Sequence, residues 1–455
     1  YSFVYGATQY TIATNGVDIG DSRGFSRYWG AQKAINLSGG HKYVVYTTPS
    51  TRYVNLVYSA NDFSSYSTIS PLFPSAASNS VSRLTSISQW KGDTIIVSPG
   101  VYGAEYPNPL IAGKVVNGSL VLYDTVLSTP KSRNQVGVFS LKGTDTVIAK
   151  VQCSTSNYWR PIVTTDFENW TMGDSTSLSS GAFYHTVLYN RIVSINNALI
   201  TTTRYNTITS KATALPISEG TVGMPEIRSV SMKVLPRSYS DTVMFIAMER
   251  FDSLRFFMTH LVTSNDSLAI DKSVTIETRG FSPLDSTYDD WLKAGFPSLS
   301  LYGDSILLFY KYWPDTSNVD SIQIVYWISG DAGTTWSSRR VFREATGADS
   351  IFNLTTPHYF YDGVIWCAWT NRVATTAGNL YVNIDTLEVG TADTIPPDSY
   401  DSFDIVGIKT LDPDTIKITV GSIDSTDYDT TIMRYGTSIP ANKDAGSLLL
   451  SLIHI

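Results

Sequence analysis

Charge is scarce in this sequence. Asp, Glu, Lys and Arg together make up only 16 % of its 455 residues, the net charge is −7, and no segment carries a run of Lys and Arg. A chain of that kind has no electrostatic footprint for phosphate backbones, so nucleic acid is not an expected partner. Long apolar runs are missing too. The longest, Ser305 to Tyr310 and Val364 to Trp369, are strand-sized and fall far short of the roughly 20 residues of a membrane-crossing helix, so no membrane span is expected. The 2 cysteines, Cys153 and Cys367, cannot build a disulfide framework, which leaves stability to packing. The 5 histidines, His41, His185, His260, His358 and His454, lie far apart in sequence and show no metal-ligand spacing. Asp315 to Asp320 lacks the Gly and terminal Glu of a calcium loop. No Gly-x-Ser-x-Gly, P-loop or dinucleotide fingerprint occurs. No metal and no cofactor are therefore expected. The sequence starts at Tyr1 without a signal segment, which reads as a processed or clipped N-terminus.

What the sequence does have is aromatic and strand-forming: 28 Tyr, 10 Trp and 42 % hydrophobic residues, a composition that favours strands and turns. Its decisive feature is a turn residue or pair followed by a short apolar run. The runs are His41-Lys-Tyr-Val-Val-Tyr46, Asp93-Thr-Ile-Ile-Val97, Asp145-Thr-Val-Ile-Ala149, Asn190-Arg-Ile-Val-Ser194, Asp241-Thr-Val-Met-Phe245, Asp304-Ser-Ile-Leu-Leu308 and Asp362-Gly-Val-Ile-Trp366. Successive copies are 45 to 63 residues apart, a period that means a propeller or solenoid. Second apolar strands follow several of them, as in Tyr53 to Tyr58, Tyr158 to Val163, Phe256 to Val262 and Ile322 to Ile328. A four-stranded meander of that size has two apolar faces and hides both only by packing radially against its neighbours. The fold expected is all-β: a seven-bladed β-propeller over residues 1–389, with six blades as the runner-up.

The turns after those later strands carry a recognisable pattern. Ser329-Gly-Asp-Ala-Gly-Thr-Thr-Trp336 has the form Ser-x-Asp-x-Gly-x-x-Trp, Thr164-Thr-Asp-Phe-Glu-Asn-Trp170 is a shortened version, and Ser59 to Tyr66 is a fainter one. The first of these resembles the Asp-box of sialidase-like (BNR-repeat) propellers. The resemblance covers about residues 20 to 390 as architecture. It implies that Ser329, Asp331, Gly333, Trp336, Asp166 and Trp170 are structural, because in that family these turns lie opposite the active site. The Asp accepts backbone N–H bonds within its own turn while the aromatic packs between sheets.

Past Val389 the sequence changes to Gly390-Thr-Ala-Asp-Thr-Ile-Pro-Pro-Asp-Ser, suited to a stiff linker over 390–400. Alternating segments at Phe403 to Ile408, Thr415 to Val420 and Thr430 to Tyr435 resemble the opening strands of a fibronectin type III domain. A full sandwich needs about 90 to 100 residues, so 401–455 is expected to be a partial β-sandwich.

Function on such a scaffold belongs to the loops joining blades and those between second and third strands. The longest are expected at Asp21 to Gly30, Val101 to Asn117, Glu219 to Arg228, Arg279 to Gly295 and Phe342 to Pro357. They carry Arg23, Arg27, Trp29, Arg228, Arg250, Arg279, Trp291 and Arg372 as candidate ligand-binding residues. Aromatic faces stack on sugar rings, and Arg pairs bidentately with anionic groups. Sialidase chemistry would need three Arg on one carboxylate, a Tyr nucleophile activated by a Glu, and an acid Asp. The family's early Arg-Ile-Pro segment is absent, and Trp159-Arg-Pro-Ile162 is scrambled and in the wrong unit. The leading reading is thus a monomeric, secreted or cell-surface, bacterial module that binds a glycan or an extracellular protein. The rival is a glycoside hydrolase drawing on Glu226, Glu249, Asp289 or Tyr106, whose carboxylate separation sequence cannot supply. Cys153 and Cys367, three blades apart in a closed ring, are expected to be free thiols.

Overall fold

The protein is described by a computed structural model over residues 7–17, 32–48, 53–70, 72, 81–82, 86–90, 92–98, 101–102, 109–116, 119–126, 134–140, 147–153, 158–166, 169, 171–172, 176–177, 184–188, 191–196, 199–204, 210–215, 227–234, 243–250, 253–278, 295, 297–312, 314, 322–344, 350–361, 363–372, 380–388, 405–412, 415–420, 431–433 and 452–454. It divides into two compact units, Tyr1–Val389 and Gly390–Ile455. Regular structure among the described residues is all β.

In the first unit the sequence repeat becomes a structural one. Ala34–Asn36, Lys42–Thr48, Tyr53–Ser59 and Ser67–Ile69 form an antiparallel sheet whose strands neighbour one another in chain order. The same meander follows from Ser86–Gln89, Asn134–Ser140, Tyr184–Leu188, Ile227–Val234 and Ser298–Tyr302, each the leading strand of its own sheet. Every apolar run singled out in the sequence overlaps a second strand: Lys42–Thr48, Thr94–Ser98, Val147–Cys153, Arg191–Asn196, Val243–Arg250, Ser305–Tyr312 and Val364–Arg372. The last sheet joins the ends of this unit. Ser350–Thr355, Val364–Arg372 and Leu380–Glu388 are completed by Thr8–Val17, which pairs antiparallel with Leu380–Glu388.

The runs are continuously apolar because both faces of these sheets are covered. Along Val243–Arg250, Phe245 and Ala247 pack with Phe256, Leu299 and Leu308 on one side. Met244, Ile246 and Met248 pack with Val193, Ile195 and Ile200 on the other. One cluster unites Ile12, Val44, Phe309, Leu354, Trp366 and Ile384, which belong to the first, penultimate and last of these sheets. Leading strands also touch directly. Ser231 Oγ accepts from Leu299 N at 3.1 Å, and Ser298 Oγ accepts from Thr356 N at 3.1 Å. Consecutive meanders, each packed on the next and closed by a strand from the opposite end of the unit, make a β-propeller.

The turns after third strands lock neighbouring sheets together. In Ser329 to Trp336, Ser329 Oγ accepts from Gly333 N at 2.8 Å and Asp331 Oδ1 from Thr335 N at 2.8 Å. Ser59 to Tyr66 repeats the geometry, with Phe63 N on Ser59 Oγ at 2.9 Å and Ser65 N on Asn61 Oδ1 at 3.0 Å. Trp336 then packs edge-on against Phe256 of the preceding sheet, and Phe63 against Trp366. Asp266, in another of these turns, pairs with Arg191 of the sheet before it. Gly333 sits at φ +80, and a Cβ there would lie 2.0 Å from Phe256 Cε1. Gly333→Ala is therefore expected to cost about 2–4 kcal/mol through left-handed strain and overpacking. A lowered urea midpoint at unchanged m-value is the check.

Two of the expected loops prove to be partly strand. Within Val101 to Asn117, Pro109–Val116 pairs in full register with Ser119–Val126. Within Phe342 to Pro357, Ser350–Thr355 is a leading strand. Pro109 is tolerated because it is the first residue of its strand, where its missing N–H breaks nothing in the ladder interior.

The second unit contains two antiparallel strand pairings among its described residues. Ile405–Asp412 pairs with Thr415–Val420, and Thr431–Met433 with Leu452–His454.

Candidate functional site

Each meander has two ends. Leading strands begin and second strands finish at one, the linker end, while the self-capped turns close the other. Ile227 pairs with Arg250, so Arg228 and Arg250 lie on adjacent strands at the linker end of their sheet. Ser350 pairs with Arg372 in the same way. Ser298–Tyr302 runs parallel to the segment just past the last leading strand, Ser298 beside Thr356 and Leu301 beside His358. Arg228, Arg250 and Arg372 thus each lie at the linker end of their own meander. Arg23, Arg27, Trp29, Tyr106, Trp170, Glu226, Arg279, Asp289 and Trp291 lie outside the described residues.

Glu249 is placed fully, and it is sealed. It is 0 % exposed, Gly295 N donates to its Oε2 at 2.7 Å, and Tyr310 O–H donates to its Oε1 at 2.8 Å. Gly295 is pressed so close that a Cβ would lie 2.0 Å from the Tyr310 ring, and its carbonyl accepts from Lys311 N at 2.8 Å. Tyr310 and Gly295 were not among the sequence candidates. Their only signal was that Tyr310 ends an apolar run and Gly295 ends a long non-repeating segment. A Tyr bonded to a Glu has the composition of a nucleophile with its base. Here both side chains are wholly buried, so the pair works as a pin between two sheets.

The capped turns behave as structural elements. Asp331 takes the backbone N–H and hydroxyl of Thr335 and the hydroxyl of Ser329, and those bonds, the Thr335 N–H first, hold its carboxyl down to about 2. Trp336 Nε1 donates to Gly333 O at 3.2 Å. Asp166 Oδ1 accepts from Asn169 N at 2.8 Å in the shortened copy.

A polar clasp holds the closing strand. Gln9 Nε2 and Thr11 Oγ1 donate to Asn383 Oδ1 at 3.0 and 2.8 Å, and Asn383 Nδ2 donates to Asn371 Oδ1 at 2.7 Å. Arg343, from the neighbouring sheet, reaches Gln9 Oε1 at 2.6 Å and both oxygens of Asp385 at 3.3 Å. Burial pushes the Asp385 carboxyl up to about 7 against the pull of Arg343.

Cys367 is free and buried. Burial first, and the Asp385 carboxylate second, push its thiol well above the usual range. In a Cys153→Ser background, a thiol titration is expected to find no reactive sulfur in the native protein and one after denaturation. Among the described residues no cluster of three or more His, Cys, Asp or Glu could hold a metal ion, and no helix is long and apolar enough to cross a membrane.

No family model matches the chain, and no curated protein matches it. Similar solved structures exist at low identity. S. cerevisiae core factor superposes with a TM-score of 0.47 at 9 % identity, covering 88 % of this chain and 64 % of the other. The NanB sialidase from Streptococcus pneumoniae gives 0.44 at 12 % identity over 84 % of this chain and 70 % of the enzyme. The family-93 α-L-arabinofuranosidase of Fusarium graminearum gives 0.39 at 10 % identity over 80 % and 98 %.

Proposed function

We propose that residues 1–389 form a seven-bladed propeller whose linker end binds an anionic glycan, or an acidic patch on an extracellular protein, without turning it over. Residues 390–400 act as a linker, and 401–455 as a fibronectin-like spacer carrying the propeller on a secreted or surface-attached protein. The observation that carries this reading is the position of Arg228, Arg250 and Arg372, each at the linker end of its own sheet. Arginine suits carboxylated or sulfated ligands because its guanidinium pairs with them bidentately, and the end of a rigid scaffold is a fit place for such a residue. The withdrawal of Glu249 into the interior favours recognition over hydrolysis.

The test is a glycan array probed with the purified full chain, each hit being followed by calorimetry against Arg228→Ala, Arg250→Ala and Arg372→Ala combined. Retention of acidic glycans, weakened at least tenfold in the triple variant with unchanged melting temperature, is the expected result. No retention on the array and no captured protein would overturn the reading. Turnover of aryl glycosides that disappears in Glu226→Gln would replace it with a hydrolase.

A further inference from the structure

Two lysines of the first unit are buried without a counter-charge. Lys33 and Lys233 are 3 % and 6 % exposed, and no described side chain forms an ion pair or hydrogen bond with either. Burying an uncompensated ammonium is costly, and propeller interiors offer many apolar residues of similar volume that would avoid the cost. Lys33 precedes a leading strand and stands alone. Lys233 has company.

Lys233 lies on the leading strand Ile227–Val234, paired across to Phe245. Two residues earlier on the same face, Ser231 Oγ accepts from Leu299 N of the next leading strand. Two residues on from Leu299, Leu301 N donates to His358 O at 2.9 Å. Lys233 on one leading strand, Leu301 on the next, and His358 in the segment between Ser350–Thr355 and the short strand Tyr359–Phe360 therefore follow one another from sheet to sheet, and Lys233 is close enough for its charge to act on the imidazole. The other titratable side chains nearby are Tyr302, next to Leu301, and Tyr359, whose ring centroid is 6.5 Å from that of His358. Among the described residues no carboxylate acts on Lys233 or His358. Two nitrogen-bearing side chains brought together, with acid withheld from both, form the donor set of an anion site.

We propose that Lys233 and His358 bind a small anion, an inorganic oxyanion or a carboxylate, between the leading strand Ile227–Val234 and the segment that follows Ser350–Thr355. The ammonium supplies the charge, and the imidazole, whose own pKa is pushed well down by burial and by Lys233, supplies a neutral N–H. Burial brings Lys233 down to about 7, so binding is strongest below that pH and fades above it.

The experiment is thermal unfolding of the full chain in low-salt buffer while sodium sulfate, sodium acetate or sodium chloride is titrated in, at pH 6 and pH 8. At pH 6 a saturable rise on the order of 5 °C is expected, shrinking at pH 8. A rise with sulfate alone assigns an oxyanion, and a rise with acetate alone assigns a carboxylate. Lys233→Met, or Lys233→Gln if the former fails to fold, is expected to abolish the rise, and His358→Gln to reduce it. Lys33→Met, which removes a lysine just as buried but without the imidazole, is expected to retain it. An equal rise in wild type and Lys233→Met, an unsaturable rise, or none with any of the three salts overturns the proposal.

Discussion

Glu249→Ala is expected to lower stability by about 3–5 kcal/mol, because it strands two buried donors at once. Gly295 N–H and Tyr310 O–H both donate to this carboxylate, and the side chains of Glu249 and Tyr310 are buried. Tyr310→Phe alone removes one donor with its acceptor's partner and is expected to cost about 1–2 kcal/mol. Combined with Glu249→Ala it should cost less than it does alone, since the bond to Glu249 is already gone. Urea titration of the two single variants and the double variant measures that coupling. A catalytic Glu249 would behave differently: Glu249→Gln would keep the melting temperature and lose turnover. The sealed geometry predicts a change in melting temperature instead. Costs that simply add in the double variant would show that the pin between the two sheets is not there.

The same residues show how far the sequence could be read. Second strands were legible because a sheet covered on both faces writes itself as an unbroken apolar run, as Val243-Met-Phe-Ile-Ala-Met does. Pro109–Val116 was not, because Pro at its start and Gly113 in its middle carry the marks of a loop; its pairing depends on Ser119–Val126, not on its own pattern. The turn Ser59 to Tyr66 looked faint because Asn61 and Phe63 stand where the stronger copy has Asp331 and Gly333. Yet an amide oxygen accepts the same N–H as a carboxylate does. Phe63 takes the left-handed conformation, φ 67, that favours Gly, and its burial against Trp366 offsets that strain. Glu249 could be named as a candidate but not assigned. Its partners lie 46 and 61 residues away, and no local spacing encodes a contact between two sheets. Arg228, Arg250 and Arg372 stand out in the sequence by their chemistry alone, whereas their places at the linker ends of their sheets emerge only from strand pairing.

The clasp at the closing strand predicts a pH dependence whose direction is unusual for an acidic group. Asp385 is 0 % exposed and Arg343 meets it at 3.3 Å, but burial outweighs that attraction and holds its pKa at about 7, above the model-peptide value. Between the two values the native protein keeps the proton that the unfolded chain has released. Stability from this group is therefore fully present below about pH 4 and is lost as pH rises through about 7, the opposite of an exposed salt-bridged Asp. A gap of about 3 pKa units corresponds to about 4 kcal/mol. Charge on Asp385 also falls within reach of the Cys367 thiol and of the strand that Thr8–Val17 completes, so the cost is concentrated where the first unit closes. Urea unfolding at pH 4, 5, 6, 7 and 8 is expected to show wild-type stability declining from pH 4 to about 7 and levelling above it. Asp385→Asn, neutral at every pH and able to accept from Arg343, is expected to remove most of the decline while matching wild type at pH 4. The slope is the readout, since other carboxylates such as Asp331, held at about 2, titrate below the window. Parallel curves for the two proteins would mean that Arg343 keeps Asp385 ionised in the native state, and the clasp would then be an ordinary ion pair.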